Sequence, residues 1–200
     1  MGSSTRYKES PSQTAGPYVH IGCTPNFVDV QGVYSADLGV GPNADFDGNL
    51  RGADMSGERI TITGKIYDGA GGLVTDAMVE TWQTDAQGQY PAADAAFSGW
   101  ARQACDLTTG VFTFQTIKPG CIATSTDRQS PHVSIWIVAR GINLGLHTRI
   151  YFADEDNSAD PVLALIEPAR RQTLIASQKG GAYVFNVRLQ GENETVFFDL

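Results

Sequence analysis

What most constrains this chain is an apolar–polar alternation that returns in short runs, each closed by a turn. Ile60, Ile62, Gly64 and Ile66 alternate with Thr61, Thr63 and Lys65, the two-residue period of a strand buried on one face. Asp68-Gly69-Ala70-Gly71-Gly72 then turns the chain. The pattern returns over Ala77–Trp82, where Met78, Glu80 and Trp82 face away from Val79 and Thr81. It returns again over Val111–Ile117, which Lys118-Pro119-Gly120 ends. His132–Ala139 is the most apolar run and is predicted as a central strand. His147–Phe152, Tyr183–Leu189 and Thr195–Phe198 are predicted to complete the sheets. One short helix is expected after Asp160, with Asp160 as its cap, Pro161 in the first helical position and Val162–Ile166 as its apolar turn. Pro168 is expected to break or reorganise it, and Arg170–Ala176 reads as a second helical turn. Many short strands with little helix predict an all-β fold, a β-sandwich.

Residues 1–57 hold no sustained period and are dense in Pro, Gly, Asn, Asp and Ser. An arm of that length without its own core must lie on its own domain or on a partner. The expected division is therefore an N-terminal, partner-contacting arm over 1–57 and a β-sandwich domain over 58–200. The 200 residues suffice for one real core, and 42% hydrophobic against 18% charged residues is a globular composition. The net charge of −8, with no Lys/Arg cluster, speaks against nucleic acid as a partner. Cys23, Cys105 and Cys121 are odd in number, widely spaced and free of a CxxC pair, which reads as ordinary thiols in a reducing compartment. The polar start lacks a signal-peptide core, and no apolar run approaches the ~20 residues of a membrane span. A cytoplasmic protein with no membrane partner is expected.

Several strings carry a resemblance. They are Ser12-Gln13-Thr14-Ala15-Gly16-Pro17-Tyr18, Gly64-Lys65-Ile66-Tyr67-Asp68-Gly69, Trp82-Gln83-Thr84-Asp85-Ala86-Gln87-Gly88-Gln89-Tyr90 and Phe114-Gln115-Thr116-Ile117-Lys118-Pro119-Gly120. Pro131-His132-Val133-Ser134, Ala139-Arg140-Gly141-Ile142-Asn143 and His147-Thr148-Arg149-Ile150-Tyr151-Phe152 follow. Any one is weak, but their joint order and spacing, from about residue 10 to Leu200, resemble the intradiol ring-cleavage dioxygenases, and among them the non-catalytic α-type chains of the enzymes that cleave protocatechuate. The resemblance implies a β-sandwich enzyme of α and β chains that inserts both atoms of O2 into protocatechuate, giving 3-carboxy-cis,cis-muconate. It implies Fe(III) held by two tyrosines and two histidines of the partner β chain.

Hard tyrosinate oxygens and imidazoles suit ferric iron. The catalytic chains of the family carry His-x-His on a strand, which aims both rings at one metal. Here the string reads His132-Val133-Ser134, and after Lys-Pro-Gly the expected tyrosine is replaced by Cys121-Ile122. The segment of the other tyrosine, between Tyr90 and Phe97, reads as shortened. His20 lies in the arm, and no two of the three histidines are spaced to chelate. No metal ligand is therefore assigned in this chain. His132 reads as a relic in a packed, partly polar pocket.

The substrate-binding candidates are Thr14, Gly16, Pro17, Tyr18 and Arg140. Gly16 permits close approach of a ligand or a partner backbone, and Pro17 biases Gly16 toward an extended conformation. The resemblance implies that this loop reaches the mouth of the partner's active site. The bland alternative is a Gly-Pro turn with Tyr18 in the core. Arg140 follows an apolar strand, where a guanidinium can take a carboxylate through two parallel hydrogen bonds. Its alternative is a salt bridge to an acidic residue or across the α/β contact. Trp82 and Tyr90 are expected to pack in the core and anchor a turn, Arg149 to be structural, and Arg170-Arg171 to serve a helix end or an interface. Two other functions remain open on the residues: a self-sufficient intradiol dioxygenase and a transthyretin-like binding module without catalysis.

Overall fold

A computed structural model describes residues 16, 56–91, 97–125 and 127–199; most of the arm over 1–57 lies outside these. Eleven strands are formed by the described residues: β1 Arg59–Tyr67, β2 Met78–Trp82, β3 Trp100–Ala104, β4 Val111–Ile117, β5 Ile122–Ala123, β6 Arg128–Gln129, β7 His132–Val138, β8 Leu146–Phe152, β9 Ile175–Lys179, β10 Ala182–Val184 and β11 Val187–Arg188. One layer is built on β1, which pairs antiparallel with β4 and parallel with β10 and β11. The other runs β3-β2-β7-β8, all antiparallel, with β9 parallel beside β8. The start of β9 pairs with β8 and its end with β10, so this strand joins the two layers. β5 and β6 form a separate small hairpin.

The two-residue period explains what lies between the layers. Ile60, Ile62 and Ile66 of β1 and Phe112 and Phe114 of β4 meet Val79, Val133, Ile135, Ile137, Ile150 and Phe152 from the opposite sheet in one buried cluster. Their alternating neighbours Thr61, Thr63 and Lys65 are only partly buried. Gly64 sits where the chain crosses Phe185, and a Cβ added there would lie 1.8 Å from the Phe185 carbonyl oxygen. The glycine is thus fixed by close approach of backbone, not by a turn.

Helix α1, Pro161–Ala164, begins as expected. The Asp160 carboxylate accepts the backbone N–H groups of Val162 and Leu163, and Pro161 occupies the first turn. Of the two expectations for Pro168, the helical stretch is reorganised and not simply broken. Pro168 starts α2, Pro168–Arg171, which continues as a 3-10 turn over Gln172–Leu174. The stretch from Ile175 is strand β9 rather than helix, a correction to the reading of Arg170–Ala176. The run Tyr183–Leu189 divides into β10 and β11. Thr195–Phe198 contributes one bridge, His147 to Phe198, instead of a strand.

Candidate functional site

Arg140 follows the last residues of β7. The β2–β7 register pairs Met78 with Val138, and continuing it two residues sets Asp76 opposite Arg140. Arg140 occupies a turn closed by the Ile142 N–H donating to the Ala139 carbonyl at 3.1 Å. The next residue, Gly141, has φ 85°, the left-handed conformation that such a turn demands in its third position. The turn lifts the side chain into solvent, where Arg140 is 66% exposed while its ion-pair partner Asp76 is 18% exposed, with Nε and Oδ2 3.1 Å apart. The pair borders a groove of about 510 Å3 whose apolar wall includes Leu73, Val74, Ile142, Leu146 and Leu189. Among the described residues lining it, Arg140 is the one cation.

Of the arm candidates, Gly16 is described; Thr14, Pro17 and Tyr18 lie outside the described residues, as do His20 and Cys23. Gly16 is half-buried and has φ 70°, so its backbone is left-handed and not extended as Pro17 suggested. Among the described residues a Cβ would meet nothing within 4 Å; the left-handed conformation itself favours glycine there.

His132 and Ser134 lie at the other end of β7. His132 is 4% exposed, and its Nδ1 is 2.8 Å from the Ser130 carbonyl. A carbonyl only accepts, so Nδ1 carries the proton and donates. Burial, and secondarily the Arg149 charge, pushes the ring's pKa down to about 4. Arg149 pairs with Ser134 across the β7–β8 ladder, donates to Gln129 Oε1 at 2.9 Å and lies 5.9 Å from the Phe198 ring centre. A guanidinium facing Ser134 disfavours a cation at that place. Cys121 lies 3.2 Å from the Arg128 guanidinium, and His147 stacks on Trp136. No three His, Cys, Asp or Glu side chains among the described residues gather as a metal-holding group. The donors at the β7 position are one histidine and one serine beside an arginine, which does not fit a two-tyrosine, two-histidine ferric site.

Arg149 is structural, as read from the sequence. Arg171 donates to the carbonyls of Ala164, the last residue of α1, and of Ile166 beyond it, a helix-end role, while Arg170 ties α2 to Glu194. Trp82 and Tyr90 correct their expectation: they are 51% and 59% exposed. Trp82 falls on the outward side of β2 with Glu80, where it leans on Trp100 at 6.1 Å between ring centres. Asp76 was not singled out from the sequence. The signal that finds it is the antiparallel register, which becomes readable only once β2 and β7 are known to be neighbours.

The sequence matches the dioxygenase family over residues 33–191. It is 44% identical to the protocatechuate 3,4-dioxygenase alpha chain of Pseudomonas putida, over 96% of each chain. It is 38% identical to the alpha chain of that name from Burkholderia cepacia, over 98% of this chain and 100% of that one. A protocatechuate 3,4-dioxygenase beta chain of Burkholderia cepacia is 29% identical over 73% of this chain and 70% of its own length. In fold, the chain resembles the dioxygenase domain of a dioxygenase–carbohydrate-binding fusion from Streptomyces sp. SirexAA-E, with a TM-score of 0.56 at 20% identity, covering 84% of this chain and 97% of that one. Sequence and fold agree: the chain belongs to the intradiol dioxygenase family, alongside the protocatechuate 3,4-dioxygenase alpha chains.

Proposed function

We propose that this chain is the iron-free α subunit of a protocatechuate 3,4-dioxygenase, working in a hetero-oligomer of αβ units. Both atoms of O2 enter protocatechuate, whose ring opens between the two hydroxyl-bearing carbons to give 3-carboxy-cis,cis-muconate. The ferric ion belongs to the partner β subunit. This chain completes the substrate pocket with Thr14, Gly16, Pro17 and Tyr18 of the arm, over 1–57, and with Arg140 of the sandwich domain, over 58–200. The occurrence of both an alpha and a beta chain among the Burkholderia cepacia relatives supports the pairing.

The observation that carries this reading is the distance between Arg140 and the degenerate ligand position of its own chain. Arg140 lies in the turn beyond β7, and the strand alone, His132–Val138, spans about 20 Å at about 3.3 Å per residue. That is far longer than one aromatic ring, so Arg140 cannot hold the carboxylate of a substrate seated at His132. It can do so for a ring seated in another chain packed against this end of the sandwich. Its task is to bind and orient: the guanidinium meets the substrate carboxylate through charge-assisted hydrogen bonds and fixes which way the ring faces.

The test is Arg140→Ala in the assembled αβ enzyme. The KM for protocatechuate rises about 10- to 100-fold, the scale of a lost charge-assisted contact, while the KM for a catechol without the carboxylate changes little. Equal effects on both substrates contradict the assignment.

A further inference from the structure

We propose that Asp76 is a positioning residue for the substrate carboxylate, acting through Arg140 to fix the direction in which that guanidinium is presented. The inference rests on the reading of Arg140 as the carboxylate's partner.

A guanidinium offers paired donors along two edges, one formed by Nε with a terminal nitrogen and the other by the two terminal nitrogens. Asp76 engages Nε, and an incoming carboxylate then has the terminal edge. Arg140 alone is poorly suited to hold one direction. It stands on a turn, is mostly exposed, and has a long side chain with much rotamer freedom to lose on binding. Asp76 is the better anchored member. It is largely buried in the turn that leads into β2, and the adjoining Ala77 carbonyl accepts the Cys105 N–H at 2.8 Å. Its charge is also felt at the buried Cys105 thiol, whose pKa is pushed up to about 12 by burial first and then by the charges of Asp76 and Asp106. An anion placed between an apolar interior and solvent draws its counter-charge to one side, and the cation on that side is Arg140.

Asp76 acts on the incoming carboxylate in two opposed ways. It repels it through space, and it holds the guanidinium ready for it. The repulsion is weakened because the binding edge of Arg140 is exposed and solvent screens it. The incoming carboxylate on the terminal edge also lies farther from Asp76 than the guanidinium between them, so the holding effect dominates.

The experiment uses the assembled αβ enzyme carrying Asp76→Asn, Asp76→Glu, Arg140→Ala, or Asp76→Asn with Arg140→Ala. Binding of 4-hydroxybenzoate and of phenol is followed by calorimetry, and KM and kcat are measured with protocatechuate. Asp76→Asn weakens 4-hydroxybenzoate binding and raises the KM for protocatechuate by about fivefold, the scale of a surface ion pair. Phenol binding and kcat stay within about twofold, and Asp76→Glu restores most of the loss because it keeps the charge. In the Arg140→Ala background the Asp76 change adds nothing. Phenol binding serves as the internal check that the variant is folded. If Arg140→Ala shows no carboxylate-selective loss, the reading of Arg140 fails, and this inference with it. If Arg140→Ala shows that loss but Asp76→Asn leaves 4-hydroxybenzoate binding unchanged or tighter, the inference alone fails. It also fails if Asp76→Asn weakens phenol equally, or if the two substitutions are additive.

Discussion

His132 illustrates how one side chain changes meaning with its neighbours. On a strand, its spacing from residue 134 would suit metal chelation. With Ser134 and Arg149 on that side, the ring becomes a buried neutral donor to Ser130. Its pKa is held at about 4 in the fold against about 6.5 in an unfolded chain. As the pH falls below about 6.5, the unfolded chain takes up a proton that the folded ring refuses. The stabilisation is therefore fully present above that pH and is lost progressively toward pH 4, by up to roughly 3 kcal/mol. His132→Asn keeps an N–H donor near the Ser130 carbonyl and removes the titration. Denaturant unfolding across this range is expected to give a flatter pH dependence for the variant than for the parent. Equal slopes would mean that another group governs the acid limb. The sequence reveals the broken His-x-His pattern, but not the ring's protonation, because Arg149 arrives from another strand through the sheet register.

At the level of elements, the end of α1 is tied to the sheet by one carboxylate. Asp160 accepts Val162 N–H and Leu163 N–H through Oδ1, Ser130 N–H through Oδ2 and the Tyr151 hydroxyl. Asp160→Ala removes the cap and leaves buried donors unpaired. We expect a loss of about 2–4 kcal/mol, read as a lowered denaturation midpoint with an unchanged dependence on denaturant. A loss below about 0.5 kcal/mol would contradict the cap's structural weight. This cap was legible in the sequence because Asp-Pro before an apolar turn is a local signal. The strands β1 and β4 were legible for a related reason, an apolar face alternating with a more polar one, and β7 was legible as the most apolar run. Strand β3 was not, because its outward face carries Trp100 and Arg102, both bonded to Glu80, and its inward face is Ala101 and the polar Gln103, which accepts the Thr113 N–H. Strand β9 was not either, since its exposed Ser177, Gln178 and Lys179 hide its role as the link between layers. Trp82 was misjudged for its size. The alternation already put it opposite Val79 and Thr81, and the outward face prevailed over its bulk.

For the whole molecule, the sandwich sets His132 and Arg140 at opposite ends of one strand. One end of β7 holds a degenerate ligand pair beside Arg149. The other end presents Arg140, backed by Asp76, at the rim of a groove. The account's central claim is that the chain contributes binding groups to a site whose iron lies in a partner. It is tested most directly by purifying the chain alone and together with its β partner, then measuring bound iron and oxygen uptake with protocatechuate in each preparation. The account predicts iron and oxygen uptake in the pair and neither in the lone chain. Stoichiometric iron and oxygen uptake in the lone chain would contradict it.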